Sequence, residues 1–379
     1  MRSVAGPRGK NGKSLSKTAR QPSSSRIMLI HIERPHHHMT GHSNGHSTEM
    51  SERPSLHRAL WGGLMNLVLR RPLLAVFQVN LRCNSSCGYC NLPLNVGRYE
   101  MSRQEIQKVF AGLYGDGLRF VFVQGGEPLL RRDLLDILQD LVELGFHLTL
   151  ITNGTKLTSR LVQQLDDLSV SLSISLDTLD RIEYERIRGA DQLDEVLAGI
   201  DLLQRYRHPK FLTCIVSEVN RDEIHEVVRF ARERGFLPIV GAYHWDVGSY
   251  GKQDATLMYD RQQARMVFER LLEEDALPPG YLRQYTKDNV TWLRGEALEP
   301  CDAGRYSIAI DASGNVAPCL SLPTVGNLLE TSLSDILARF DRQEIRHCSD
   351  RSSCNRVDGR VIGSVLRHPI AAWKTPVSW

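Results

Sequence analysis

Residues 73–90 read LLAVFQVNLRCNSSCGYC, an apolar run followed at once by a loop that contains three cysteines. The apolar run has the length and composition of a buried strand. Three residues and then two separate the cysteines, and thiols are rarely crowded in this way for structural reasons alone. The stretch therefore predicts a strand whose end carries metal-binding thiolates.

Short apolar runs alternate with segments of helical period from this stretch onward, which is typical of βα units that feed a parallel sheet. The strand-like runs are LLAVFQVN (73–80), LRFVFVQG (118–125), HLTLITNG (147–154), SVSLSISLD (169–177), FLTCIVSEV (211–219) and FLPIVGAYHW (236–245). Apolar positions three and four residues apart predict crossover helices over 102–114, 131–144, 158–166, 191–206, 221–234 and 261–275. Six repeats are too few for a complete eight-fold barrel. We therefore predict an α/β fold that forms a partial (β/α)6 TIM-type barrel. Periodicity alone does not separate this barrel from a doubly wound sheet, and the motifs at the strand ends favour the barrel.

The composition changes along the chain and suggests five segments. Residues 1–55 are basic and rich in His and Ser without a sustained apolar period, so we predict disorder there. The histidines at 36–38 could bind a metal, although a solvated extension is the favoured interpretation. An amphipathic helix is predicted within 56–71, where it packs on its own domain rather than on a membrane. The remaining segments are a barrel over 72–285, a smaller domain over 290–360 and a tail over 361–379.

The composition excludes several classes of protein. Hydrophobic residues make up 41% of the 379 residues and charged residues 24%, ordinary values for globular proteins. No apolar run reaches the roughly 20 residues of a membrane span, and a net charge of +3 is too small to argue for nucleic-acid binding. Eight cysteines without an apolar signal-peptide core point away from a secreted disulfide scaffold. We therefore expect a cytoplasmic protein whose thiols serve metal binding or catalysis.

The thiols of Cys83, Cys87 and Cys90 suit an iron–sulfur cluster, because thiolates are the usual ligands of such clusters. Three ligands would leave one iron of a four-iron cluster open to another molecule, as open metal sites do in catalysis. A zinc loop or a chance group of cysteines is the structural alternative. The spacing favours a reactive cluster.

A C-x3-C-x2-C loop with an aromatic residue, Tyr89, before its third cysteine and with a βα repeat around it resembles the radical S-adenosylmethionine (radical SAM) superfamily. The resemblance implies that Cys83, Cys87 and Cys90 hold a [4Fe-4S] cluster. The reduced cluster would cleave S-adenosylmethionine to methionine and a 5'-deoxyadenosyl radical, and this radical would abstract hydrogen from a substrate.

The ends of the later strands carry glycines and polar residues, at the place where parallel α/β folds bind ligands. In the family, the segment that Gly125-Gly126-Glu127-Pro128 resembles lies along the methionine part of the cofactor and receives its amino group. Family residues at later strand ends contact the ribose and the carboxylate of the cofactor, and this sequence matches those positions less closely. The resemblance thus implies that the cofactor is bound by Tyr89, Gly125, Gly126, Glu127, Asn153, Ser175, Asp177 and Arg188. The alternatives are a turn cap for Asp177 and a solvated surface charge for Arg188.

Four further cysteines follow the barrel, at Cys301, Cys319, Cys348 and Cys354. The stretch SIAIDASGNVAPC (307–319) predicts a hairpin that ends at the second of them. This region resembles the opening of the auxiliary-cluster domains called SPASM and, in shortened form, Twitch. The resemblance implies that the four thiols hold one auxiliary [4Fe-4S] cluster, with zinc as the alternative. The last cysteine, Cys214, falls inside the fifth strand and is predicted to pack in the core.

The motifs leave the substrate open between a peptide and a small molecule, and an electron donor such as flavodoxin or ferredoxin is expected. A molybdenum-cofactor cyclase is disfavoured because the chain ends in Val377-Ser378-Trp379 and not in the Gly-Gly of that family. Two hypotheses lie outside radical chemistry. One is a non-catalytic iron–sulfur or zinc scaffold, and the other is a barrel hydrolase or isomerase with incidental metal-binding loops.

Overall fold

The computed structural model describes residues 56–244, 254–350, 354–357 and 359–374. The predictions for residues 1–55, including the histidines at 36–38, lie outside the described residues. The amphipathic helix predicted within 56–71 is present as α1 (Leu56–Leu69). In the part of the chain that the structure describes, no helix is long and apolar enough to cross a membrane.

A nine-stranded sheet runs in the order β6-β5-β4-β3-β2-β1-β7-β8-β9. Its strands are β1 (Leu74–Gln78), β2 (Phe120–Gln124), β3 (His147–Thr152), β4 (Ser171–Ser175), β5 (Lys210–Val216), β6 (Leu237–Ala242), β7 (Ser307–Ile310), β8 (Asn315–Ala317) and β9 (Gly326–Asn327). The first six strands are parallel, and each lies beside its neighbour in the chain. This arrangement confirms the predicted α/β fold with a partial (β/α)6 barrel.

The crossover helices lie close to their predicted ranges. After α1 the helices are α2 (Arg103–Gly115), α3 (Leu134–Leu144), α4 (Ser159–Asp167), α5 (Arg181–Arg188), α6 (Leu193–Leu202), α7 (Ile224–Glu233), α8 (Arg261–Glu273), α9 (Tyr281–Leu293), α10 (Leu333–Ala338), α11 (Arg342–Asp350), α12 (Val361–Arg367) and α13 (Pro369–Trp373). Short 3-10 turns occur at Leu92–Asn95, Pro128–Leu130 and Ala255–Leu257. Helices α2, α3, α4, α6, α7 and α8 match the six predicted segments.

Helix α5 was not predicted, although its boundaries have clear local causes. Asp180 caps its first turn by accepting hydrogen bonds from the N–H groups of Ile182 and Glu183. Gly189 ends it in the left-handed conformation, at φ 66°. The helix is short and mostly charged, and one of its few apolar side chains, Ile182, is 76% exposed. Only two of its apolar side chains are buried, so its apolar stripe is shorter than those on which the sequence-based prediction of helices relied.

Strand β1 is buried on both faces because its side chains alternate between two packed layers. Phe77 packs against Phe110 of α2, with ring centroids 5.0 Å apart, and belongs to the main core between the sheet and its helices. Val76 points to the other face and packs with Ala309, Ala317 and Leu320 of the C-terminal region. The continuous apolar run that opened the sequence analysis therefore reflects burial from both sides.

The predicted C-terminal hairpin is present and continues the barrel sheet. Strand β7 pairs with β1 in parallel, and β8 returns antiparallel to β7. Gly314, at φ 87°, makes the turn between β7 and β8 in a conformation that favours glycine. One sheet therefore connects the strand before the first cysteine loop with the strand that leads to Cys319.

Candidate cluster-binding site

The loop that carries Cys83, Cys87 and Cys90 lies against the end of helix α5. The backbone N–H of Ser86 donates to the carbonyl of Arg188 at 2.9 Å, and that of Gly88 donates to the carbonyl of Ile187 at 3.0 Å. A Cβ on Gly189 would lie 2.3 Å from the Ser86 hydroxyl oxygen. The unpredicted helix α5 therefore holds the cysteine loop, and Gly189 is needed both to end the helix and to admit the loop.

Polar side chains fasten the same loop to the end of β3. The Asn153 amide nitrogen donates to the Asn84 side-chain oxygen at 2.8 Å, and the Asn84 amide nitrogen donates to the Thr155 hydroxyl at 2.9 Å. On the other side, the Ser85 hydroxyl donates to the Gln192 side-chain oxygen at 3.1 Å. Asn153 thus positions the cysteine loop in this structure, whereas its contact with the cofactor stays a prediction.

The Gly125-Gly126-Glu127 segment packs directly on the chain that leads into the cysteine loop. The Gly126 N–H donates to the Asn80 carbonyl at 3.0 Å, and the Glu127 N–H donates to the Arg82 carbonyl at 2.7 Å. A Cβ on Gly126 would lie 2.1 Å from the Arg82 carbonyl oxygen, and one on Gly125 would lie 2.4 Å from the Asn80 side-chain oxygen. The two glycines therefore allow one segment of backbone to approach another, a requirement separate from their predicted contact with a cofactor.

The Glu127 carboxylate is buried and accepts hydrogen bonds from protein groups. Its donors are the Thr152 hydroxyl at 2.6 Å, the Asn153 N–H at 2.7 Å and the Leu129 N–H at 3.0 Å. Burial raises the pKa of Glu127, and these hydrogen bonds partly oppose that shift. In this structure the carboxylate joins the ends of β2 and β3.

A buried ion pair lies behind the cysteine loop. Asp177 is fully buried and accepts hydrogen bonds from the Arg188 guanidinium at 2.7 Å, the Tyr89 hydroxyl at 3.0 Å and the Ile215 N–H at 2.8 Å. Arg188 is only 5% exposed, and its other terminal nitrogen lies 4.0 Å from the Cys87 sulfur. Burial acts to lower the pKa of Arg188, but the surrounding acidic groups, of which Asp177 contributes most, together outweigh it, and the pKa lies well above its ordinary value. Arg188 is therefore a fixed positive charge beside Cys87 and not a solvated surface charge.

Ser175, the remaining predicted cofactor residue, ends β4 and is half-buried. It lies in register with Thr213 of β5. This places it at the carboxyl edge of the parallel strands, where ligands bind in such folds. Its contact with a cofactor stays a prediction.

The three loop thiols form a donor set that suits an iron–sulfur cluster. Burial raises the pKa of the Cys83 thiol and raises that of Cys90 to about 11, and interactions among the thiols add to both shifts. Metal binding would therefore have to displace protons from them. Among the described residues, no three His, Cys, Asp or Glu side chains meet closely enough to hold a single ion. A cluster takes one thiolate at each of several irons, so three thiols in one loop suit such a cluster.

Three of the C-terminal thiols line a cavity. Cys301, Cys319 and Cys354 line it together with Arg356 and Arg360. Burial raises the pKa of the Cys301 thiol, and the nearby Arg360 opposes that shift. Soft thiolates flanked by cations suit an anionic iron–sulfur cluster. The side chain of Cys348, the fourth predicted ligand, lies outside the described residues.

The sequence-based analysis missed several residues that hold the site together. They are Asn80, Asn84, Ser85, Thr152, Thr155 and Gln192. Two of them lie inside the cysteine loop, which could have drawn attention to them. Their partners, however, are up to 107 residues away in the chain, and a single sequence contains no local signal for such pairs. Cys214 was predicted correctly, since it is 1% exposed within β5.

We expect Gly126→Ala to lower the free energy of unfolding by about 3 kcal/mol, at the upper end for overpacking, because the added methyl group would meet a backbone carbonyl. Urea denaturation of the metal-free chain measures this change. The control is Gly112→Ala, because a Cβ at that position in α2 meets no atom within 4 Å. It should stabilise the chain by about 0.5–1 kcal/mol, since alanine favours helix over glycine. Equal stability of the two variants would contradict the close packing at Gly126.

Two protein-family models match this chain. The Radical SAM superfamily matches residues 78–231, and the SPASM iron-sulfur cluster-binding domain matches residues 301–357. A GTP 3',8-cyclase of Ectopseudomonas mendocina is 34% identical over 174 residues, which cover 44% of this chain and 52% of the cyclase. A PqqA peptide cyclase of Rhizobium meliloti is 26% identical over 288 residues, covering 70% of this chain and 73% of the relative.

Among solved structures, SuiB of Streptococcus suis bound to the precursor peptide SuiA has a TM-score of 0.59 and 18% identity, with 80% of this chain and 74% of SuiB covered. At that identity the likeness concerns the fold. The chain spans only about half the length of several curated relatives that it matches, GTP 3',8-cyclases among them. Both domain matches, however, contain a cysteine group described above. The chain therefore contains a radical SAM domain over residues 78–231 and a SPASM iron–sulfur cluster-binding domain over residues 301–357.

Proposed function

We propose that this chain is a radical SAM enzyme that abstracts hydrogen from a peptide substrate. The observation that carries the proposal is the loop of Cys83, Cys87 and Cys90, fastened at the carboxyl edge of the parallel strands and backed by the buried cation of Arg188. When bound, the reduced [4Fe-4S] cluster supplies the electron that cleaves S-adenosylmethionine to methionine and the 5'-deoxyadenosyl radical. Three thiolates would leave one iron for that cofactor.

In this proposal the chain's own residues hold the loop and shape the cofactor site. Arg188 would offset part of the negative charge of a thiolate-bound cluster, because its guanidinium is fixed 4.0 Å from the Cys87 sulfur. The Gly125–Gly126 backbone, Tyr89 and Ser175 are proposed to contact S-adenosylmethionine. Glu127, Asn153 and Asp177 are proposed to contact the cofactor as well, and each also holds a segment of the site through its hydrogen bonds to protein groups.

We assign the second thiol group, Cys301, Cys319, Cys348 and Cys354, to an auxiliary [4Fe-4S] cluster. The arginines that line the cavity beside three of these thiols would balance the charge of such a cluster. Iron bound at both thiol groups would favour an enzyme over a non-catalytic zinc-binding scaffold. We also propose that a one-electron donor such as flavodoxin or ferredoxin reduces the cluster, and that the protein works in a reducing cytoplasm.

The peptide assignment is supported by the similarity to the PqqA peptide cyclase, a relative named for a peptide substrate whose match extends over 70% of this chain. A cavity of about 300 Å³ lies between the segment after the first cysteine loop and the C-terminal hairpin. Asn91, Arg98, Asp311 and Cys319 are among the residues that line it. It has the size of a small ligand site, and we propose that it admits a substrate side chain.

The test is the production of 5'-deoxyadenosine. The full chain is reconstituted with iron and sulfide without oxygen, reduced with dithionite and supplied with S-adenosylmethionine. We expect 5'-deoxyadenosine from the wild type, none from Cys87→Ala, and a wild-type amount from Cys214→Ala, which removes a buried thiol outside the loop. A wild-type chain with a reduced cluster that forms no 5'-deoxyadenosine would contradict the proposal.

A further inference from the structure

Two side chains of the barrel hold the backbone of a single residue in the C-terminal cysteine region. His244, just after β6, accepts the N–H of Asn355 at its Nε2 atom, at 2.9 Å. Tyr285 of α9 donates its hydroxyl to the carbonyl of Asn355 at 3.0 Å. Both backbone hydrogen-bonding groups of Asn355 are thus bound by the barrel, and Asn355 directly follows Cys354.

The two side chains have little freedom to move. Asn355 is fully buried, and Tyr285 is 4% exposed. The His244 ring lies 4.4 Å from the ring of Trp292, which is itself buried in α9. Helix α9 therefore contributes both the hydroxyl donor and the surface on which the histidine ring packs. A rigid arrangement of this kind can fix the position of a neighbouring residue.

His244 remains in the neutral form that this contact requires. Burial lowers the pKa of His244 to about 3, the charge of Arg356 adds to the shift, and a backbone hydrogen bond to Ala242 opposes it. A neutral imidazole carries one proton and one acceptor nitrogen. Because Nε2 accepts the Asn355 N–H, the proton lies on the other nitrogen, and the contact is present throughout the neutral pH range.

We propose that His244 and Tyr285 form a clasp on Asn355 that positions Cys354 as a ligand of the auxiliary cluster. The clasp is defined as the His244, Tyr285 and Asn355 contacts. It links the end of the last barrel strand to the second metal site, and it rests on the proposed assignment of an auxiliary cluster to the C-terminal cysteines. His244 and Tyr285 are positioning residues, because they act on the cluster through the chain beside Cys354.

The test isolates the auxiliary cluster in the full chain. Replacing Cys83, Cys87 and Cys90 with alanine removes the first cluster, so any iron that remains belongs to the C-terminal cysteines. The clasp variants in this background are Tyr285→Phe, which removes one hydroxyl, and His244→Phe, which keeps a ring against Trp292 but loses the acceptor. The measurements are iron and sulfide per chain, and the rate at which EDTA removes iron without oxygen.

We expect each single variant to lose iron faster than the background chain, and the double variant to lose it about 10- to 100-fold faster, as when groups that orient metal ligands are removed. The control is Tyr259→Phe in the same background. Tyr259 donates its buried hydroxyl to the Tyr243 carbonyl at 2.7 Å, so this variant removes a similar bond that does not touch Asn355. It should lose iron at the background rate.

The outcomes separate the clasp from the proposed function. Iron loss from Tyr285→Phe and His244→Phe at the rate of Tyr259→Phe would overturn the clasp while leaving the auxiliary cluster in place. A background chain that binds no iron would overturn the auxiliary assignment, and the clasp with it. If His244→Phe does not fold, as judged by circular dichroism, Tyr285→Phe decides alone, because it deletes a single oxygen atom.

Discussion

Replacing Cys83, Cys87 and Cys90 together with alanine is expected to reduce the iron content from about eight to about four per chain and to abolish 5'-deoxyadenosine formation. The physical reason is that the two thiol groups occupy separate places, one after β1 and the other around the cavity near the C-terminal hairpin. Each group should therefore assemble its cluster without the other. Iron and sulfide analysis of anaerobically reconstituted protein measures the first effect, and product assay measures the second.

The reciprocal variant provides the control for this prediction. Cys301→Ala combined with Cys319→Ala should also retain about four irons, but these should be the irons that support cleavage of S-adenosylmethionine. Zinc in place of iron at the C-terminal group would contradict the auxiliary iron–sulfur cluster. A wild-type chain that binds only about four irons would contradict it as well.

Asp177→Ala is expected to lower the free energy of unfolding by about 3–5 kcal/mol, the usual cost of leaving a buried charge without its partner. Asp177 is fully buried, and Arg188 would lose its 2.7 Å ion pair in a place that water hardly reaches. The Tyr89 hydroxyl and the Ile215 N–H would also lose their acceptor. Urea denaturation of the metal-free, reduced chain measures the change.

Two further variants test whether the buried charge is the cause. Asp177→Ala combined with Arg188→Met should recover part of the lost stability, because an apolar pair leaves no buried charge unpaired. Asp167→Ala removes an exposed partner of Arg207, 3.4 Å away, and should change stability by less than about 1 kcal/mol. If Asp177→Ala changed the free energy of unfolding by a similarly small amount, the ion pair would not hold the end of β4 in place.

The parts of the fold that were predicted correctly depend on local patterns. Each parallel strand is an apolar run of a few residues, and the crossover helices between strands have an apolar stripe that repeats every three to four residues. These patterns survive in a single sequence because neighbouring residues create them. Helix α5 was not predicted because its boundaries depend on a cap at Asp180 and a glycine at 189, and most of its residues are charged.

The functions of individual site residues were harder to predict, because they depend on partners that are distant in the chain. Glu127 could be recognised as part of a strand-end motif. Its carboxylate, however, holds Thr152 and Asn153, which the sequence does not reveal. The clasp on Asn355 is similar, since His244 and Tyr285 lie 111 and 70 residues away from it.

The sequence by itself determined the six parallel strands with their crossover helices, the two cysteine groups and the family resemblance, because periodicity and spacing are properties of short stretches. Only the tertiary structure decided which side chains meet. It placed Arg188 against Asp177 and Cys87, showed that Gly126 makes room for the Arg82 carbonyl, and joined the C-terminal hairpin to β1. These contacts arise because a buried charge or hydrogen-bonding group is costly without a partner, and the chain can supply that partner from wherever folding brings it near.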